Sequence, residues 1–145
     1  MTIPTVARPL KPPVSWAATG PANDAAAQKT AVDVELVLLA DASNSIDNAE
    51  IRFQRQGYAS AITHPDVLSA IAKGGLQRIA VTFIEWGDMF SQKTVVDWTI
   101  VKDLATAKAF AADLMAAPRQ AYGSNAIGEA LAVAHEAIAT NADPT

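Results

Sequence analysis

The chain has 145 residues, a formal net charge of −4 and no cysteine, which excludes disulfides, thiolate metal sites and cysteine nucleophiles. The length fits one domain, and half the residues are hydrophobic against 18% charged, enough to build a core. No basic run or basic-aromatic patch marks a nucleic-acid binder, and no apolar run approaches the roughly 18 residues of a membrane span.

Pro4, Pro9, Pro12, Pro13 and Pro21 fall in a lead with neither helical nor strand period. Residues 1–31 therefore read as a disordered or extended segment, and 32–145 as the domain. The alanines at 25–27 would suit a signal-peptide cleavage site, but no apolar core of roughly 7–15 residues precedes them.

Residues 32–41, VDVELVLLAD, end in a continuous apolar run from Leu36 to Ala40, the pattern of a strand buried on both faces of a parallel sheet. Over 47–63 the period turns helical. Asp47 and Glu50 have capping-box spacing, and Ile51, Tyr58 and Ile62 share a face to which Phe53 does not belong. Pro65 opens a short helix to Ala72, stopped by Gly74 and Gly75. RIAVTFIEW (78–86) predicts a second buried strand. TVVDWTIV (94–101) alternates, with Val96, Trp98 and Ile100 on one side and Asp97 and Thr99 on the other. That predicts a half-exposed edge strand, joined to its predecessor as an antiparallel hairpin. Asp103 caps a helix carrying Leu104, Ala107, Ala111 and Leu114. APRQAYGSN is a loop, and the last helix, 126–140, has an apolar stripe of Ile127, Leu131, Ala134 and Ile138. The order is that of an α/β domain, without internal repeats.

The chemistry sits in Asp41-Ala42-Ser43-Asn44-Ser45, directly after the first strand. Any strand-to-helix turn favours Asp, Ser and Asn, so a plain cap is one reading. A calcium-binding EF-hand loop is excluded, because Ile46 and Arg52 stand where its glycine and glutamate belong. An aspartyl-phosphate enzyme of the haloacid dehalogenase kind is excluded too, since Ser43 replaces the required second aspartate. The remaining reading is a cation site. Alternate residues of an extended segment can point to one side, so Asp41, Ser43 and Ser45 offer three hard oxygens. Such a set suits Mg²⁺ or Mn²⁺ rather than zinc, and open α/β sheets bind ligands beyond the carboxyl ends of their strands.

LLADASNS resembles the metal-ion-dependent adhesion site of von Willebrand factor type A (vWA) domains. The stretch from VDVELVLLAD through ITHPDVLSAI to FIEWGD resembles a bacterial vWA-like family of unknown function, usually exported. VVDWTIV and YGSNAIGEAL extend the likeness to roughly residues 32–135. The resemblance implies a Rossmann-like vWA fold, with a central, mostly parallel sheet flanked by helices and strand order 3-2-1-4-5-6. Here it would be truncated after about three strands, leaving a strand edge open to self-association. The resemblance assigns Asp41, Ser43 and Ser45 to the cation, Mg²⁺ or Mn²⁺. It places Asn125 where the family has a threonine, and gives the third element, an aspartate after strand four, no counterpart here. The implied function is a metal-dependent protein-binding module of adhesion type, not an enzyme. Its protein partner would supply an Asp or Glu to the metal, and its location would be periplasmic or secreted. The alternative is a degenerate scaffold or gene fragment without metal, in which Asn125 caps the last helix.

Outside this motif, His64 and His135 lack ligand spacing and read as structural. Glu85 and Asp88, flanking Trp86, read as a solvated turn; Trp86 and Trp98 read as packing residues. No nucleophile elbow, phosphate loop or dinucleotide fingerprint is present.

Overall fold

The computed structural model describes residues 30–141, so the expected proline-rich lead falls almost wholly outside the described residues. These form three strands and four helices: β1 (Glu35–Asp41), α1 (Asn48–Ile62), α2 (Pro65–Ala72), β2 (Ile79–Trp86), β3 (Gln92–Val101), α3 (Leu104–Ala116) and α4 (Ile127–Ala139). The sheet order is β1-β2-β3, with β1 parallel to β2 and β2 antiparallel to β3. The expected α/β class and hairpin are present, in a mixed sheet of one parallel and one antiparallel pair.

Helix starts follow local chemistry. Asp47 accepts from the backbone N–H groups of Ala49 (2.7 Å) and Glu50 (2.8 Å), and Glu50 Oε2 accepts from Asp47 N (2.8 Å), closing the capping box. His64 Nδ1 accepts from Asp66 N at 3.2 Å ahead of Pro65, so its role is a helix cap. Asp103 caps α3 by accepting from Thr106 N at 2.9 Å.

β2 is the middle strand and is buried along its whole length. Val81 and Phe83 turn into a cluster with Ile62, Phe110 and Leu114, so α1, α2 and α3 cover this face. The Tyr58 ring meets Phe83 edge-on with centroids 5.2 Å apart, an arrangement aromatic pairs favour. α4 packs against the strands without joining that cluster.

Three expectations need correction. β1 is not buried on both faces: Leu36 to Leu39 are half-buried, because β1 is an edge strand among the described residues. The apolar stripe of α4 is not a core stripe. Ile127 and Leu131 are 57% and 59% exposed, Ile138 is 43% exposed, and Ala130 is the buried residue of this helix. Phe53, which has no place on the apolar face of α1, points to solvent at 79% exposure. In β3 the simple alternation breaks. Phe83 pairs with Val96 but Val81 pairs with Thr99, so β3 carries an extra residue there, and a second shift follows toward Thr94. Such bulges re-aim side chains. They bring Val96 and Val101 into one cluster, with Val95 packed against it, in place of the expected Val96, Trp98 and Ile100 face. Thr82 Oγ1 donates to Val96 O at 2.8 Å beside the irregularity.

Candidate functional site

Because β1 and β2 run parallel, with Asp41 in register with Trp86, both strands deliver their carboxyl ends to one edge of the sheet. Ala42 N still donates to Trp86 O at 2.8 Å, and then the chain turns. Ser43 N donates to Asp41 Oδ1 at 2.8 Å, which fixes that carboxylate as an Asx turn does. Ile46 N donates to Ser43 O at 2.9 Å and closes the loop ahead of α1. The hydroxyls of Ser43 and Ser45 lie 3.2 Å apart; Ser43 is 3% exposed and Ser45 faces solvent. From the far side, Asn125 Nδ2 donates to Asp41 Oδ2 at 3.5 Å, the long end of the range. All four sequence-predicted residues therefore meet in one place. Asn125 does not cap the last helix: that position is Ala126, and no side chain caps the helix there.

The donor chemistry fits a hard divalent cation. One carboxylate and two hydroxyls belong to a single short turn, the hydroxyls lie together, and Asp41 keeps Oδ2 free of backbone bonds. Asn125 meets that oxygen through its amide nitrogen; half a turn of the amide offers the carbonyl oxygen instead. Among the described residues no group of three or more His, Cys, Asp or Glu is placed to hold a metal.

The loop is held by a second segment, residues 117–126. Asn44 N donates to Gly123 O (2.8 Å) and Asn44 Oδ1 accepts from Gly123 N (2.9 Å), a reciprocal pair between the two loops. Gly123 has φ 103°, a left-handed conformation that favours glycine. Arg119 clamps the turn: Nη2 donates to Ala42 O (2.6 Å) and Ser43 O (2.9 Å), and Nη1 to Ile46 O (2.9 Å). Ala126 N reaches Gly87 O at 2.9 Å and Asp88 N reaches Tyr122 O at 3.0 Å, so the β2–β3 loop joins the same assembly. At Gly87 a Cβ would fall 2.0 Å from Tyr122 O, so only glycine fits this close backbone approach.

Under this loop lies a buried ion pair. Arg55 Nη2 donates to Glu85 Oε1 at 2.6 Å and Nε donates to the same oxygen at 3.1 Å. Arg55 also donates to the carbonyls of Leu114 (3.2 Å), Ala117 and Pro118 (3.0 Å), while Glu85 Oε2 accepts from Gln120 N at 2.9 Å. Glu85 is 0% exposed, which corrects the expected solvated turn. Asp88 does sit in a turn, accepting from Phe90 N at 3.0 Å. The sequence carried a signal for the pair: a glutamate inside an apolar strand, and an arginine one helical turn from Ile51. Charges at core positions need partners. No comparable signal marked Arg119, which lies in an irregular loop.

Two carboxylates at the periphery are shifted downward. The N–H of Leu76, with help from Arg78, Gln77 and Gly75, holds Asp33 below the usual aspartate range, and this ties the start of β1 to the loop before β2. Asp103 is lowered by Thr106, first through its backbone N–H and then through its hydroxyl.

An α/β domain with an oxygen-rich loop at the carboxyl ends of two parallel strands, fastened by a second loop, is what fold and site define. The chain belongs to the family described as "Protein of unknown function (DUF1194)", which matches residues 31–145. No curated protein matches the chain by sequence. Among solved structures, the vWF domain of the type V pili tip protein Mfa5 from Porphyromonas gingivalis is similar at 16% identity and a TM-score of 0.45, over 77% of this chain and 34% of that one. A structure of three N-terminal domains of the same pilus protein is similar at 17% identity and a TM-score of 0.46, over 76% of this chain and 18% of that one. The chain thus spans about a third or less of the solved structures it resembles.

Proposed function

We propose that the chain is a metal-dependent protein-binding module of adhesion type, acting in the periplasm or outside the cell. Asp41, Ser43 and Ser45 hold Mg²⁺ or Mn²⁺, and Asn125 contributes its carbonyl oxygen after the amide turns. A single carboxylate leaves net positive charge on a divalent ion, and an open coordination position then attracts the Asp or Glu side chain of a protein partner. The observation that carries this reading is the convergence of Asp41, Ser43, Ser45 and Asn125 at the carboxyl end of the parallel strand pair. The reading assigns the chain no catalytic step.

One observation favours a second reading, a scaffold without metal. The amide N–H of Asn125 faces Asp41 Oδ2, so the site can close on itself. Calorimetric titration of Mn²⁺ separates the two. The wild type is expected to give saturable heat that disappears in Ser43→Ala and Asp41→Asn; no heat from the folded wild type contradicts the metal-dependent reading and leaves the scaffold.

A further inference from the structure

Beside the candidate site lies a cavity of about 430 Å³ between α1 and the 117–122 loop. Its size falls within the roughly 300–1,000 Å³ of ordinary ligand pockets. Arg52, Arg55 and Arg119 line it, together with Ile51, Met115 and Tyr122, and no Asp or Glu does. In a chain of net charge −4, this concentration of guanidinium groups is a local reversal of sign.

The three arginines differ in what they have left to give. Arg55 is neutralised by Glu85. Arg119 is saturated with bonds, yet its charge meets only neutral groups: the carbonyls of Ala42, Ser43, Ile46 and Ala121, the Asn48 side chain at 3.4 Å, and the Tyr122 ring 4.6 Å away. Arg52 is exposed and its side chain makes no hydrogen bond or ion pair among the described residues. The cavity thus has one free guanidinium fork, one further uncompensated positive charge in its wall, and apolar surface from Ile51, Met115 and the Tyr122 ring.

We infer that this cavity binds a carboxylate-bearing side chain of a peptide, with Arg52 as its direct contact and Arg119 as electrostatic support. A single fork matches one carboxylate through two parallel N–H···O bonds, and the apolar wall takes the methylene stem. Arg119 fastens the same turn that carries Ser43, so the cavity and the oxygen cluster share a wall. If the proposed function holds, both sites select one acidic segment, with one carboxylate at the metal and a second at Arg52. The cavity itself does not require the metal.

Fluorescence polarisation with fluorescein-labelled hexaglutamate and hexaglutamine, in EDTA, reads the cavity alone. An acidic protein should repel hexaglutamate unless a basic pocket receives it. The expected result is that hexaglutamate binds more tightly than hexaglutamine, and that Arg52→Glu weakens it about tenfold or more. Arg52→Gln should be intermediate, and Lys73→Glu, a surface charge reversal just past the end of α2, should be without effect. Arg52 is exposed, so thermal melts are expected to stay unchanged. The inference is overturned if hexaglutamate does not bind the wild type, binds no better than hexaglutamine, or binds Arg52→Glu undiminished. If these arms succeed while Mn²⁺ gives no heat, the metal reading falls and the cavity stands. If Mn²⁺ binds while Arg52→Glu changes nothing, the cavity falls alone.

Discussion

Glu85 and Arg55 are 30 positions apart, and together they hold up the floor of the candidate site. Every arginine nitrogen is used, and Glu85 also receives the N–H of Gln120, so loss of one partner strands a charge out of water. Breaking a buried pair by removing one side costs about 3–5 kcal/mol. Glu85→Gln keeps the shape and removes the charge; urea unfolding is expected to show a loss of that order, against little change for the exposed carboxylate substitution Asp97→Asn. Asp41, Ser43 and Ser45 were legible in the sequence because alternate spacing after an apolar strand is a local pattern. The Arg55–Glu85 pair was less so, since its meaning appears only when two separately suspicious charges are joined. Arg119 was not legible: its work is to donate to carbonyls, and any residue supplies those.

Among the elements, α1, α2 and α3 start where their capping residues stand, because a cap is decided within four residues. Burial is not decided so locally. The stripe of α4 has a helical period, yet Leu131 faces solvent among the described residues. Leu131→Ser is therefore expected to change stability by no more than about 0.5 kcal/mol. A buried leucine there would lose about 2–5 kcal/mol on truncation, and a urea midpoint shift of that size would return the stripe to the core. The β3 face was misread for a related reason: a bulge is a property of the pair of strands, and one strand's alternation does not reveal it. The cap on α3 also fixes a pH dependence. Thr106 lowers the Asp103 pKa in the folded chain, so the cap's stabilisation is fully present above the unfolded value of about 3.9. It is lost as the pH falls through the lower folded value. Asp103→Asn keeps an acceptor but removes this titration. Its urea midpoint should fall less steeply than that of the wild type over the acid range; parallel curves would mean that the cap does not contribute.

For the whole molecule, the parallel pairing of β1 and β2 is what gives the Asp-x-Ser-x-Ser loop its position, and the 117–126 segment gives it its shape. Membership of the DUF1194 family covers this entire arrangement. The sequence foretold the order of elements because helix and strand periods alternate along it, while the order of strands in the sheet came from the family resemblance. It did not foretell how the last loop returns to stitch β1 to β2, since those contacts join backbone groups. The central claim is that this corner holds a divalent cation. Substoichiometric Mn²⁺ added to ¹⁵N-labelled protein tests it directly, because the paramagnetic ion broadens nearby amide signals. The account predicts that amides of Ala42–Ile46 and Gly123–Asn125 vanish first, while those of α2 persist, and that Ser43→Ala abolishes the pattern. Uniform broadening, or none, would contradict it.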